Sequence, residues 1–470
     1  MALKAATAKC LRYVLAIFRL GFHGIQQQAS APPCRRANDP RSTDWLTGLR
    51  GLASLAVFHS HVAAATYPGL LFAHGFGPAE VKHSWLKLPL VRLLYGGNSA
   101  VGIFFVVSGC AIAHRPLRRA AAAQWDALFL EAASSAFRRP GRLLIPALVS
   151  ALLAVLLAQA GLLDGRVPPE VVFAITARSR PSWAEQADLW LSEAKQLLRP
   201  WERSLEVPML RYGVQLWTIP LELWCSFVLY LHILALAPLR PLPRRVTLAL
   251  SMCYHLFYGG WDVFLFLAGM MLADLQLERD KVVALTGEVL PPAKKSGKTA
   301  STIQSITMFG ALFLGLSLLS QPEISMGIED QGGLFNAVML LVPPKLTNHA
   351  DRFWIALGAP LTVFAIGNGP DVMRWVFRTR VAQHLGVLSF GLYLVHNMVI
   401  RSLGAWWWYS QVESQEEGVH QAAGGVMAGC IAVGMSSLLA ASVFYRFIDE
   451  PANRFTRWTA SRLSVIQAES

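Results

Sequence analysis

Four ionisable residues stand inside long apolar stretches of the 470-residue chain: Arg50, His61, Glu222 and His396, with His59 as a fifth candidate. Histidine titrates near neutrality, so it can take a proton from a hydroxyl and hand it back. A neighbouring carboxylate can orient the ring or stabilise the imidazolium. Such a set suits a general base acting on an alcohol, and equally a proton-coupled transporter of organic solutes. Spacing sorts the candidates. Arg50 and His61 are eleven residues apart in LTGLRGLASLAVFHSHVAAA. At ~100° per residue they return to nearly one helix face, about 16 Å apart along the axis. His59, nine residues from Arg50, points to the other side. Plainer readings stand beside these: Arg50 as an interfacial arginine whose head reaches water, and the histidines as hydrogen bonds between helices.

Depth groups three of them. Counted from the ends of their apolar blocks, His61, His396 and Glu222 lie roughly 22, 17 and 18 Å above the inner face of a core ~30 Å thick. That predicts one polar chamber in the outer half, with Arg50 near the inner mouth of a path to it. Arg138, Arg139 and Arg142 cluster where the third apolar block begins. Guanidinium forks at a helix N-terminus make a phosphate site, although basic cytoplasmic loops put arginines there as well. In YGGNSAVGIFFVVSGCAI, small residues including Ser108 and Gly109 permit close helix packing or a backbone bend beside a ligand.

The elements that must hold these residues are apolar helices. Hydrophobic residues make up 54% of the chain and charged ones 15%, where a soluble protein carries about 25% charged. Ten apolar blocks follow one another at 46–65, 98–114, 143–160, 214–237, 246–258, 262–277, 303–320, 353–367, 385–403 and 424–444. With the N-terminus inside, roughly twice as many Lys and Arg fall inside as outside. The pattern predicts an all-α polytopic membrane protein with ten transmembrane helices and both termini cytoplasmic. Residues 1–45 form a basic N-terminal segment with an interfacial amphipathic helix, 46–457 the transmembrane domain, and 458–470 a cytoplasmic tail. Within the domain, 161–213 reads as a long external loop serving as a partly ordered lid, and 278–301 as a flexible cytoplasmic linker. The net charge of +13 is then a property of cytoplasmic loops; no basic cluster interleaved with aromatics points to nucleic acid. The six cysteines are scattered, with no zinc spacing, and no metal is expected.

Taken in order, the motifs resemble those of the acyltransferase-3 family of integral membrane acyltransferases, in the style of its fungal members. TGLRGLASLAVFHSH is similar to the family's opening Arg-then-His motif and selects His61. GGNSAVGIFFVVSGCAI resembles its second-helix motif, and FRRPGRLLIPAL its arginine-rich segment. QLWTIPLELW, LGVLSFGLYLVHN and FYRFIDEPANRF resemble the motifs that place Glu222, then Tyr393 and His396, then Glu450 and Pro451. The resemblance runs from about 44 to 457. Thr47 stands where the family often has Asp, and Leu223 where it often has a second Glu, which puts bacterial-type substrates in doubt.

The resemblance implies ten helices and transfer of an acyl group, usually acetyl, from acyl-CoA to a hydroxyl. Arg138, Arg139 and Arg142 would then hold the CoA phosphates, with the pantetheine arm passing Arg50 and the Ser108–Gly109 bend. His61 would be the general base or a transient acyl carrier, and Glu222 and His396 would orient it or the acceptor. The acceptor implied is a small-molecule alcohol such as a terpenoid or polyketide, next a glycan or glycolipid, in an endomembrane such as the endoplasmic reticulum.

Overall fold

The computed structural model describes residues 43–163, 179–202, 210–286, 298–322, 340–409 and 423–463. Each of the ten apolar blocks lies on a helix: α1 (Asp44–Thr66), α2 (Gly97–Ala121) and α3 (Trp125–Gln159), then, after α4 (Trp183–Leu197) in the long loop, α5 (Thr218–Leu236), α6 (Pro241–Phe257), α7 (Trp261–Thr286), α8 (Lys298–Leu319) and α9 (Ala350–Asn368). After the short α10 (Asp371–Arg378) come α11 (Arg380–Val399) and α12 (Ala405–Tyr409), then α13 (Ala423–Phe444) and α14 (Glu450–Leu463). Single π-helical segments, Ile400–Gly404 and Tyr445–Asp449, join α11 to α12 and α13 to α14. There is no β-strand among the described residues.

Among the described residues, seven segments are long and apolar enough to cross a membrane: Gly97–Ala121, Trp125–Gln159, Val214–Leu236, Thr302–Leu319, Pro344–Asn368, Arg380–Trp408 and Gly425–Leu463. Helices α1, α6 and α7 fall short of the ten expected. Helix α6 has only 17 residues. Helix α1 gives positions to Thr47, Arg50, His59, Ser60 and His61, and α7 gives two to the buried Asp262 and Asp274. A helix enclosed by others can carry polar groups that a lipid-facing one cannot, and Trp261–Met270 of α7 are all buried. Gly259, at φ 83°, turns the chain between α6 and α7, so blocks five and six are two helices. The expected N-terminal interfacial helix and the sidedness of both termini fall on residues outside those described.

Two expectations about connections are corrected. Helix α2 continues through RPLRR to Ala121, and α3 already begins at Trp125. Arg138, Arg139 and Arg142 therefore lie within a 35-residue helix, not at its N-terminus. The reason is composition: WDALFLEAASSAF is rich in Ala, Leu and Glu, and polarity alone does not stop a helix of good formers. Likewise α7 runs to Thr286 and α8 starts at Lys298, which shortens the expected 278–301 linker from both sides.

Glycines seat the two central helix pairs. A Cβ on Gly386 would stand 2.2 Å from the Thr47 carbonyl oxygen, and one on Gly51 2.5 Å from the Gly386 amide, so α1 and α11 meet backbone to backbone. Helices α2 and α7 meet the same way: a Cβ on Gly109 would fall 2.2 Å from the Phe266 carbonyl oxygen and one on Gly269 2.3 Å from that of Val106.

Part of the long loop is helical, as α4. Ser182 caps α4 by accepting from the Glu185 amide, and the Gln159 side chain bonds the Arg180 backbone in both directions. The buried Glu193 carboxylate accepts from the Arg211 and Tyr212 amides at 2.7 and 3.1 Å. Burial raises its pKa above the usual carboxylate range, against the pull of those two amides.

Candidate active site

A cavity of about 840 Å³ runs into the bundle between α1, α2, α3, α5, α11 and α14, within the size range of a small-molecule or cofactor site. Each wall is a stripe of residues at helical-face spacings of three, four, seven or eight. Helix α2 contributes Arg115, Ser108, Phe104 and Val101, in order from the mouth inward; α5 contributes Tyr230, Glu222 and Thr218; α11 contributes Gly386, Ser389 and Tyr393. From Arg115 to Val101 is roughly 20 Å along the helix. The cavity is therefore deep, with Val101, Phe104, Phe105, Thr218, Ile219 and Tyr393 at its blind end.

The mouth half is cationic. Six arginines (Arg50, Arg115, Arg138, Arg139, Arg142, Arg457) line the cavity against four carboxylates (Glu131, Glu222, Asp449, Glu450). One pair is firmly made: Arg139 Nη2 lies 2.6 Å from Glu222 Oε1, while its Nε donates to Ser226 Oγ at 2.9 Å. Ser108 Oγ donates to the same carboxylate at 3.3 Å, and Arg50 reaches Ser389 Oγ at 3.4 Å. Arg142 exposes its side chain. Planar forks in excess over carboxylates, in a recess partly closed to water, are suited to a phosphorylated ligand.

Beyond the blind end lies a histidine pair. The His61 and His396 rings meet edge to face with centroids 4.9 Å apart, and neither lines the cavity. His396 is 1% exposed. Its Nδ1 lies 2.8 Å from the Leu392 carbonyl oxygen, which can only accept. Nδ1 therefore carries the hydrogen, and Nε2 keeps its lone pair. That Nε2 is buried with no hydrogen-bond partner among the described residues. Tyr393 lines the cavity and neighbours the pair: its ring is 6.3 Å from His396, and its phenol donates to the Gln215 carbonyl oxygen at 2.6 Å beside Thr218 Oγ1 at 2.7 Å.

Of the residues singled out from the sequence, the structure brings His61 to His396 and both Arg50 and His61 to the α11 face. It does not bring Glu222 to the histidines. Thr218 and Tyr393 are in contact, and α5 and α11 run in opposite directions from there. His396 lies about a turn to one side and Glu222 about a turn to the other, roughly 10 Å apart along the bundle. His59 is exposed, its Nδ1 3.2 Å from the Leu94 carbonyl oxygen. Ser108 faces the cavity, while its neighbour Gly109 packs on α7 within an unbroken helix. Sequence reasoning missed Asp449, Arg457, Ser389 and Phe104, all on the cavity wall. Asp449 was within reach, as a carboxylate just after the last apolar block and next to the quoted Glu450–Pro451. The others carried no signal until the helices were placed. Among the described residues no three His, Cys, Asp or Glu side chains are grouped to hold a metal ion.

Comparison with known proteins gives the context. The O-acetyltransferase PaAT-1 of Phomopsis amygdali is 26% identical over 460 residues, covering 94% of this chain and 89% of that protein. Acyltransferase clz18 of Cochliobolus lunatus is 25% identical over 460 residues, covering 89% of this chain and 95% of its own. Acyltransferase R4 of Phoma sp. (strain ATCC 20986 / MF5453) is 26% identical over 463 residues, with 88% and 95% covered. No solved structure matches. The profile of the acyltransferase domain family matches residues 43–445, most of the chain and every helix from α1 to α13, and the protein thus belongs to the acyltransferase-3 family of membrane acyltransferases.

Proposed function

We propose that the protein is a membrane-embedded O-acetyltransferase that moves an acetyl group from acetyl-CoA to a hydroxyl of a small apolar alcohol, a terpenoid or polyketide, in an endomembrane. One observation carries the reading: an arginine-rich cavity ends one aromatic ring short of a buried histidine pair with a free lone pair. The arginines suit the phosphates of the donor, with Arg142 and Arg50 as contacts and Arg139 held in place by Glu222. Glu222 thus acts through Arg139 and not on the histidines. The acceptor hydroxyl gives its proton to the histidine pair. Its oxygen forms the new bond to the acetyl carbon as the carbon–sulfur bond breaks, and the thiolate leaves with that proton as free CoA thiol. The dry surroundings of the pair protect the thioester from hydrolysis. The names of relatives, an O-acetyltransferase and two acyltransferases of fungi, support the class of reaction and the choice of acetyl.

The test is thiol release by the protein in nanodiscs supplied with acetyl-CoA and a panel of terpenoid, polyketide and sugar alcohols. Release that needs an acceptor and is lost in His61→Ala is expected. A preference for the sugar alcohols would move the acceptor to a glycan or glycolipid. Proton-driven uptake of a solute into proteoliposomes with no thiol release would replace the enzyme by a transporter.

A further inference from the structure

The blind end of the cavity is built from rings, and those rings differ in how firmly they are held. Phe105 is 2% exposed, stacks on Trp261 at 5.7 Å with planes 7° apart, and meets Phe266 edge-on at 5.3 Å. Ile219 is 1% exposed. Tyr393 is pinned through its phenol to the Gln215 carbonyl and Thr218. Phe104 is the exception. It shares the cavity face of α2 with Ser108, is only half-buried, and leans edge-on against Tyr393 with centroids 6.3 Å apart.

The position of this wall matters because of what lies on each side. Toward the mouth are the arginines. On the far side of Tyr393 is His396, at 6.3 Å. A thioester presented from the mouth must therefore place its carbonyl at the Tyr393 edge to come within reach of the histidines. The chain beyond that carbonyl must then fit against Phe104, because Phe105, Ile219 and Tyr393 cannot yield. Close-packed interiors resist even one added methylene.

We propose that Phe104, backed by the fixed Tyr393 ring, is the gauge of acyl length in the donor site: it limits the donor to the shortest acyl groups. The inference rests on the donor cavity proposed above and adds the residue that selects among donors. One methylene in a tight apolar pocket changes selection by about 10- to 200-fold. Removing the Phe104 ring frees the space of several methylenes, so a long chain gains by more than a short one.

The experiment uses non-reactive S-alkyl-CoA thioethers with ethyl, butyl and hexyl chains, titrated calorimetrically into the full chain in nanodiscs, so no acceptor is needed. The wild type should bind the ethyl thioether and lose at least about tenfold in affinity at butyl and again at hexyl. Phe104→Ala should level or reverse that order, and Phe104→Leu should fall between. If Phe104→Ala does not fold, the Leu variant decides alone. Tyr393→Phe, which keeps the ring but frees it from Gln215 and Thr218, should loosen the order less than Phe104→Ala does. Equal binding of all three chains by the wild type, or an unchanged order in the Phe104 variants, overturns the gauge. Failure of the wild type to bind even the ethyl thioether overturns the donor cavity, and the gauge with it.

Discussion

On the mouth side of Tyr393, six arginines and four carboxylates face a cavity of about 840 Å³. On its far side two histidine rings touch, and one of them is 1% exposed with an unengaged lone pair. The first region is built to hold charge, since its guanidinium forks meet carboxylates and open space where an anion can enter. The second suits proton transfer on the proposed reaction, since the Leu392 carbonyl fixes which nitrogen of His396 is basic. On the proposed reaction, their separation by one anchored ring would let recognition stay wet while the transfer stays dry, where electrostatic effects are stronger and hydrolysis is suppressed. Labour would then be divided by depth along the bundle.

The sharpest way to break that division is to remove the proton acceptor alone. His396→Ala should lower turnover by about 10²- to 10⁴-fold, the usual worth of a positioned general base or of its partner. Binding of a CoA thioether should stay within about twofold, because His396 does not line the cavity. His396→Asn can donate to Leu392 as Nδ1 does, so it should restore thermal stability without restoring turnover. If His396→Ala weakens donor binding as much as turnover, the two regions are one site and the comparison collapses.

The next effect belongs to the mouth side. Glu222→Gln leaves the Arg139 guanidinium in its recess without a counter-charge. Arg139 is 10% exposed and Glu222 21%, so the loss should sit at the low end of the range for a broken buried pair, about 3 kcal/mol. Thermal unfolding in nanodiscs reads it, and donor affinity should fall with it. The double change Arg139→Met with Glu222→Leu should recover most of the stability, because both desolvation costs go together. Donor affinity should not recover. Recovery of both would mean that Arg139 serves packing and not the ligand.

These two regions were legible in the sequence to different degrees. Helical phase and hydropathy found the histidine side, since eleven residues at 100° must bring Arg50 and His61 to one face whatever packs there. The mouth side was read less well. Apolar blocks mark where helices are greasy, not where they end, so they predict an α3 that starts some eighteen residues too late and put its arginines at a helix N-terminus. Depth counted from block ends inherits that error, and it put Glu222 level with the histidines when it lies roughly two turns away. Gly109 shows the same limit. Small residues signal a close approach, and only the fold says whether the neighbour is a ligand or, as here, the Phe266 carbonyl. Asp449 and Arg457 reach the cavity because the π segment and α14 pack against α3, a tertiary fact with no local signature.

The smallest effect tests the comparison from outside. His59 stands two residues before His61 on the same helix, with the same titratable ring, yet it is exposed, with its Nδ1 at the Leu94 carbonyl and its ring against Phe58. His59→Ala should cost less than about 1 kcal/mol, the worth of one exposed hydrogen bond, and should leave turnover within about twofold. His61→Ala, on the face that meets His396, should remove it. Were the outcomes exchanged, with His59→Ala silent in binding yet dead in turnover, the proton would move on the opposite face of α1. The dry chamber behind Tyr393 would then be only packing.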